Sequence, residues 1–227
     1  MTAVAGFDSY ADPGDAVTEW LKANSNLRWC GYYLAPAPSQ WNRSWMGQRL
    51  GLQAAGWGIA PIYVGQQVVA PGSLDPCAAT GERDGAAATV LMGAEGFADG
   101  SYVFLDLENG PPLPVAMADY ARAWAAAVIS GGYRPGIYCS HDFAAEMQEL
   151  VPGARIWAFR VRSTVPHRVS GPFPELDPAG CGYDGGYVWQ LAQSCRIVVP
   201  SARGGVVEVD LSTSVVADPG APDGVVN

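Results

Sequence analysis

The chain has 227 residues, of which 49% are hydrophobic and 15% are charged, which is enough apolar material for one large domain with its own core. Its 22 acidic residues outnumber 13 basic ones, giving a net charge of -9, and every basic residue except Lys22 is an arginine. An acidic chain without a cluster of basic residues argues against nucleic acid and anionic membrane surfaces as partners.

Eight short apolar runs along the chain predict strands, because they are rich in β-branched and aromatic residues and end at turn-forming residues. In chain order they are Val4–Asp8, Leu27–Leu34, Ile59–Val64, Tyr102–Leu107, Gly136–Cys139, Arg155–Val161, Tyr187–Ala192 and Val206–Leu211. Helical patterns lie between many of them, at Pro13–Ala23, Trp41–Ala55, Gly85–Phe97, Val115–Ile129 and Asp142–Leu150.

This alternation of strands and helices predicts an α/β fold with a parallel sheet and helices outside it, and eight strands in a chain of this length indicate a small, irregular (β/α)8 TIM-type barrel. Residues 163–186 contain four prolines and no helical period. We therefore expect the crossover helix between the sixth and seventh strands to be missing. The prediction is one barrel domain over residues 1–216, followed by a flexible tail at 217–227.

No apolar run reaches the roughly 18 residues of a membrane span. The first residues carry neither a basic segment nor a cleavable apolar stretch, so no signal peptide is expected. The protein is expected to be cytoplasmic until lysis or a delivery system releases it, and to be a monomer.

The most informative stretch for chemistry is Tyr102–Glu108. Side chains alternate along a strand, so Leu105 and Leu107 should face the helices while Asp106 and Glu108 point toward the barrel axis. Barrel enzymes place their chemistry at this carboxyl end of the strands. Carboxyl groups two residues apart can lie roughly 5–8 Å apart, which includes both retaining and inverting glycosidase geometries. A solvated strand end with helix-capping acids is the alternative.

Two further acids are expected at the same rim. Alternation places Asp8 inward beside outward Phe7, and it places Asp210 inward between two outward apolar residues. The first and last strands of a closed barrel are neighbours, so Asp8 and Asp210 should meet. Four inward carboxylates are costly to desolvate unless they serve a function or bind a metal, so an active site is favoured over structural ion pairing.

Aromatic and amide side chains near the predicted strand ends suit a sugar ligand, because sugar rings stack on aromatic faces and sugar hydroxyls bond to amides. The candidate substrate-binding residues are Tyr33, Tyr63, Gln66, Tyr138, Trp157, Trp189 and Gln190.

Other kinds of site receive less support. No cofactor is expected, and a metal-dependent hydrolase is less favoured because the only histidines are His141 and His167; carboxylates alone would bind Mg²⁺ or Ca²⁺. The five cysteines include no C-x-x-C pair, although Cys181 and Cys195 could pair in an oxidising compartment. Serine-hydrolase and P-loop motifs are absent from the sequence.

The ordered motifs at residues 6–8, 61–67, 104–108, 136–138, 189–190 and 209–210 resemble a bacterial family of glycoside-hydrolase-like domains of unknown function. That family is related to the family 25 lysozymes, which are muramidases that cleave peptidoglycan. The resemblance covers about residues 6–212, but the region after the first helix, residues 31–36, departs from the lysozyme pattern.

The resemblance implies an irregular barrel with an acidic pocket, in which Glu108 is the general acid and Asp106, Asp8 and Asp210 shape and polarise the site. The first hypothesis is a glycosidase that hydrolyses a β-1,4 bond in a cell-wall glycan, with peptidoglycan as the expected substrate. The alternative is a carbohydrate-binding or cell-envelope protein that retains the barrel with weak or no catalysis. A lysis or delivery partner would follow from the first hypothesis, but no residue identifies it.

Overall fold

The predicted barrel is present in a computed structural model that describes residues 3–162 and 168–224. Eight of nine strands close into a barrel, and five α-helices accompany them. The strands are β1 (Val4–Asp8), β2 (Trp29–Tyr33), β3 (Gly58–Val64), β4 (Tyr102–Asp106), β5 (Arg134–Ser140), β6 (Arg155–Phe159), β7 (Arg168–Val169), β8 (Gly186–Val198) and β9 (Val206–Ser214). The helices are α1 (Asp15–Asn24), α2 (Arg49–Ala54), α3 (Ala78–Ala94), α4 (Val115–Ser130) and α5 (Ala144–Leu150).

The barrel departs from an all-parallel sheet in its last strand. Strands β1 to β6 are parallel neighbours, β8 pairs in parallel with β6, and β9 closes the ring by antiparallel pairing with both β8 and β1. The expectation of a purely parallel sheet is therefore wrong for β9. The reason is the short connection at 199–205, which can make a hairpin but not a crossover.

The connection between β6 and β8 is irregular, as expected. Among its described residues it contains the two-residue strand β7 and a 3₁₀ turn at Pro178–Cys181, and no α-helix. His167 and the rest of residues 163–167 lie outside the described residues.

Two helix boundaries differ from the predictions. Helix α3 begins at Ala78, well before Gly85, because Cys77 and Thr80 form a capping box at its start. Gly81 and Gly85 lie inside this helix, where α4 packs closely against it. Only glycine fits at these two positions, because a Cβ would stand 2.3 Å and 2.5 Å from backbone oxygens of α4. The helix predicted at Trp41–Ala55 is reduced to α2, and the residues before it form a loop.

Apolar side chains fill two layers, as the alternation of a barrel strand requires. Between strands and helices lies the larger core, with Phe7, Leu105 and Trp124 among its fully buried members. Inside the barrel is a smaller aromatic core, in which Trp157 packs edge-on against Trp29 and Phe104 at centroid distances of 5.4 and 5.5 Å. The barrel interior is therefore filled below its mouth.

The predicted flexible tail is corrected for residues 217–224, which pack against the closed end of the barrel. The Ile59 amide donates to Asp218 Oδ1 at 2.9 Å, and the Tyr102 amide donates to the Gly220 carbonyl at 2.8 Å. Arg155 donates to the carbonyls of Pro219 and Ala221 at 2.7 and 2.8 Å. These bonds join the segment to the amino-terminal ends of β3, β4 and β6.

All five cysteines, including Cys181 and Cys195, are free thiols, so the pairing considered for those two is not formed. In the described part of the chain, no helix combines the length and apolar character of a membrane span.

Candidate functional site

The four predicted acids meet at the mouth of the barrel. Asp8 and Asp106 are the last residues of β1 and β4, Glu108 follows two residues after β4, and Asp210 lies directly opposite Asp8 on β9. All four line one open pocket of about 380 Å³. The sequence predicts Asp210 at the carboxyl end of its strand. It lies instead in the middle of β9, which runs antiparallel to its two neighbours.

Strand alternation explains why Asp8 and Asp106 face inward. Their neighbours Phe7, Leu105 and Leu107 are buried in the core beneath the helices, and adjacent residues on a strand must face opposite sides. Only 6% of Asp8 and 5% of Asp106 is exposed to solvent, whereas Glu108 is exposed at the pocket. The site therefore combines two enclosed carboxyl groups with one accessible carboxyl group.

Two predicted ligand-binding residues hold carboxylates in place. The Tyr33 hydroxyl donates to Asp8 Oδ2 at 2.9 Å, and Gln190 Nε2 donates to Asp210 Oδ2 at 2.7 Å. The other oxygen of Asp210 accepts from the Ser194 amide at 2.7 Å, and the Tyr138 hydroxyl donates to Gln190 Oε1. Asp210 is thus fixed at both oxygens by its own strand pair.

Asp8 and Asp106 each keep one oxygen without a partner. Oδ1 of both side chains is buried and accepts no hydrogen bond from any described residue. An unpaired buried acceptor is costly, and both residues line the pocket. The two buried oxygens therefore still require hydrogen-bond donors, which no described residue supplies.

The surroundings raise the pKa of three of these carboxyl groups. Burial is the largest cause at Asp8, followed by the Asp210 charge, while the Tyr33 hydrogen bond partly opposes the rise. Burial and then the Glu108 charge raise the pKa of Asp106 well above its usual range. Burial also raises the pKa of Asp210, against the hydrogen bonds from Ser194 and Gln190. Each of the three resists ionisation because its charged form is poorly solvated.

Gln67 stands beside the predicted Gln66 in the amide pair that follows the third predicted strand, and it is the member of that pair that lies at the site. Its Nε2 donates to the Asp106 carbonyl at 3.0 Å, and its Oε1 accepts from the Glu108 amide at 3.3 Å. Gln67 also lines the pocket and is buried. A single side chain therefore fixes the backbone between the two acids that carry the most chemical interest.

Tyr10 is a pocket residue that the sequence analysis did not identify. It lines the pocket with 59% of its surface exposed, two residues after Asp8. Its position just after the carboxyl end of the first strand could have identified it from the sequence, because loops at those strand ends form the mouth of a barrel.

The floor of the pocket is aromatic. Trp157, Tyr138 and Ile62 line a small inner cavity of about 40 Å³ that shares the four predicted acids with the pocket, and the two aromatic rings pack edge-on at 5.7 Å. Trp157 Nε1 donates to Ser212 Oγ at 3.2 Å, which fixes the indole. Trp157 is buried, so a sugar ring entering the mouth would meet carboxyl groups on the walls and the half-buried ring of Tyr138 below.

Tyr63, Gln66 and Trp189 do not line this pocket, and their predicted placement is corrected. Tyr63 packs on Trp124 of α4 at a centroid distance of 6.2 Å, and Gln66 donates to buried Asp84 of α3 at 2.9 Å. The Trp189 indole donates to the Arg160 carbonyl at 3.0 Å. Tyr63 and Trp189 face outward because their strand neighbours face inward, and Gln66 lies beyond the end of β3.

The acids do not form an evident metal site. Within residues 3–162 and 168–224, no group of three or more histidine, cysteine, aspartate or glutamate side chains is arranged to hold a metal ion. His141 lies within 3.4 Å of Asp142 in a 3₁₀ turn after β5 and is not among the pocket residues.

Comparison with known proteins identifies the family and the fold of the chain. The model of the family described as Rv2525c-like, glycoside hydrolase-like domain matches residues 19–168. No curated protein sequence matches the chain.

Solved structures share the fold at low sequence identity. An uncharacterized protein of B. stearothermophilus is 19% identical, with a TM-score of 0.62, over 93% of this chain and 95% of that one. The Tat-secreted protein Rv2525c of Mycobacterium tuberculosis, in complex with HEPES, is 16% identical with a TM-score of 0.60 over 96% of both chains. The catalytic domain of endolysin ply40 from bacteriophage P40 of Listeria monocytogenes is 13% identical with a TM-score of 0.61, over 94% of this chain and 93% of that one.

Proposed function

The chain belongs to the Rv2525c-like glycoside hydrolase-like domain family, and from this premise we propose that its acidic pocket binds and hydrolyses a β-1,4-linked cell-wall glycan, with peptidoglycan as the substrate. The observation that carries the proposal is the convergence of Asp8, Asp106, Glu108 and Asp210 on one pocket with an aromatic floor. The fold that the chain shares with a phage endolysin catalytic domain supports a cell-wall glycan over other sugars.

Glu108 is the proposed general acid. It lies two residues after β4 and is exposed at the pocket, so its proton can reach the oxygen of the leaving sugar as the glycosidic bond breaks. Water supplies the hydroxyl group to the anomeric carbon and a proton to restore the acid, so that the bond is replaced by two hydroxyl ends. Retention and inversion both fit this proposal.

Asp106 is proposed to stabilise the positive charge that develops on the sugar ring, or to orient a substrate N-acetyl group if that group attacks the anomeric carbon. A developing positive charge favours the ionised form of a carboxyl whose pKa is raised by burial. The stabilisation is therefore larger in the transition state than in the bound ground state, which is the requirement for catalysis. Asp8 and Asp210 add to the same field.

The test compares the formation of new reducing ends from purified peptidoglycan by the wild type and by Glu108→Gln. The variant keeps the shape of the side chain but has no proton to donate, and we expect at least a ~100-fold lower rate. Glu146→Gln is the matched control, because Glu146 is exposed on α5 and remote from the pocket. Equal rates for the wild type and Glu108→Gln, with both proteins folded, would contradict the assignment.

One observation favours a second candidate, a glycan-binding protein without efficient catalysis. Glu108 is exposed, whereas general acids of glycosidases are commonly enclosed in apolar surroundings. Binding of peptidoglycan fragments without any new reducing ends, equally by the wild type and Glu108→Gln, would identify this candidate.

A further inference from the structure

The pocket at the barrel mouth has carboxyl groups on its wall and no compensating positive charge. Five acids line it, and among the described residues no lysine, arginine or histidine does. They are Asp8, Asp106, Glu108, Glu208 and Asp210. Most surface acids of a protein are dispersed in solvent, but these share one concave surface, where their mutual repulsion is strongest.

The unpartnered oxygens specify what a ligand must present. Oδ1 of Asp8 and Oδ1 of Asp106 are buried acceptors without donors, and both side chains are more than nine-tenths buried. A cationic donor adds the attraction between opposite charges to the hydrogen bond that it makes with a carboxylate. A cationic donor would therefore satisfy both the hydrogen-bonding and the charge requirement of the pocket.

We propose, resting on the glycan site described above, that this pocket takes a sugar unit with a free, protonated amino group in preference to its N-acetylated counterpart. An ammonium group offers three N–H donors and one positive charge. An N-acetyl group in the same position has one N–H donor and no charge. The half-buried ring of Tyr138 suits the apolar face of the sugar ring that carries the amine.

A bare metal ion fits these observations less well. No group of three acids in the described residues is spaced as a set of metal ligands, and Asp210 already has both oxygens bonded to protein donors. A metal ion needs its ligands around one point, whereas the hydrogen-bond donors of a sugar ring are spread out and can each reach a different carboxyl group.

The preference for an amine carries a characteristic pH dependence. Burial and neighbouring charges raise the pKa of Asp8 and Asp106, so a bound ammonium displaces protons from them. Binding should tighten as the pH rises through these raised values, and weaken again only when the amine loses its own proton. The groups facing the two acids are Tyr33, Glu108, Tyr138, Glu208 and Asp210, and none of them supplies an opposing positive charge.

The experiment uses calorimetry to compare binding of the β-1,4-linked tetramer of glucosamine with that of the tetramer of N-acetylglucosamine, from mildly acidic to neutral pH. The two probes share a backbone and differ at the amino group. We expect the glucosamine tetramer to bind at least about tenfold more tightly at the pH where the carboxyl groups are ionised and most of its amines remain protonated, with an affinity that passes through a maximum as the pH rises and that decreases with salt. Mass analysis of the recovered probes excludes cleavage during the titration.

Asp106→Asn should remove most of the preference for the amine, while Asp119→Asn should leave it unchanged. Asp119 lies on α4, is 50% exposed and pairs with Arg122, so it controls for the loss of one negative charge. Equal or tighter binding of the N-acetylated tetramer would overturn the amine preference and leave the glycan site in place. Failure of both tetramers and of peptidoglycan to bind would overturn the preference together with the proposed function.

Discussion

At the scale of single residues, the site stores unfavourable electrostatics in Asp8 and Asp106. Both are nearly fully buried with one unpaired oxygen each, and such groups lower stability unless a ligand compensates them. Their raised pKa values have the same origin, because burial penalises the charged form first and neighbouring carboxylates add to the penalty. The two acids therefore lower the free energy of unfolding, and the burial of apolar side chains in the two cores offsets this loss.

This cost predicts the sign of the dependence of stability on pH. The pKa of Asp106 is higher in the folded protein than in the unfolded chain, so the folded state binds more protons between the two values. The free energy of unfolding should fall as the pH rises from the ordinary carboxyl pKa through the raised one. Asp106→Asn should flatten this slope and raise the Tm at neutral pH by ~2–4 °C, the shift that about 1 kcal/mol produces in a domain of this size.

Thermal unfolding measured from mildly acidic to neutral pH checks this, with Asp119→Asn as the control for charge. A lower Tm for Asp106→Asn at neutral pH, with the slope unchanged, would show that the carboxyl group is compensated in the folded protein.

Gln67 acts on Glu108 through the backbone. Its side chain bonds both the Asp106 carbonyl and the Glu108 amide, so Gln67→Ala should release Glu108, the proposed general acid, from its position without changing any charge. We expect the rate of glycan cleavage to fall by about tenfold or more, with a smaller effect on the affinity for glycan. Gln53→Ala, on the exposed side of α2, is the control; cleavage by Gln67→Ala at the wild-type rate would refute the positioning role.

At the scale of elements, strand alternation predicted the site where a strand was long enough to fix which face is inward. Phe7 and Leu105 mark the outer face, so Asp8 and Asp106 could be placed inward from the sequence alone. The same rule would place Tyr63 outward, because Ile62 and Val64 lie in the inner core, and it would place Trp189 outward beside inward Gln190. Choosing aromatic residues by type, without their strand phase, produced both errors.

Other features depend on long-range contacts that local patterns do not encode. Gln66 and Gln67 lie beyond the end of β3, where strand alternation no longer predicts which side chain faces the pocket. Gln66 bonds to Asp84 of α3, and Gln67 lines the pocket. The antiparallel direction of β9 follows from a short connection after a strand much longer than predicted, since β8 extends to Val198. Residues 217–224 are held by hydrogen bonds to the backbone of β3 and β4. Their Gly- and Pro-rich composition predicts a flexible tail, because composition carries no information about these distant partners.

The C-terminal segment at 217–224 is predicted to stabilise the barrel through Arg155. The guanidinium stacks on Tyr102 and Tyr187 at 3.6 and 4.3 Å and donates to Pro219, Ala221 and Asp223. Deleting residues 217–227 would leave this buried cation without its acceptors, at a cost of about 3–5 kcal/mol.

Asp223→Asn is the graded comparison for that deletion. The Asp223 side chain is 69% exposed, so losing its charge alone should cost at most about 1 kcal/mol. Denaturant unfolding of both variants measures the difference. A deletion no more harmful than Asp223→Asn would mean that the segment contributes little to the barrel.

At the scale of the whole molecule, the two ends of the barrel have opposite characters. The C-terminal segment packs against one end, an aromatic core fills the interior below the mouth, and the β8–β9 hairpin borders an open acidic pocket at the other end. The overall charge of -9 reinforces the negative field at that mouth, which favours cationic or neutral partners over anionic wall polymers. The asymmetry leaves one end of the barrel open for the proposed glycan chemistry.

Digestion of purified peptidoglycan in H₂¹⁸O, followed by mass analysis of the fragments, tests the central claim most directly. The account predicts glycan fragments with one ¹⁸O atom at each new reducing end from the wild type, and essentially none from Glu108→Gln. Intact glycan strands after incubation with folded wild-type protein, or fragments cut in the peptide portion, would contradict it.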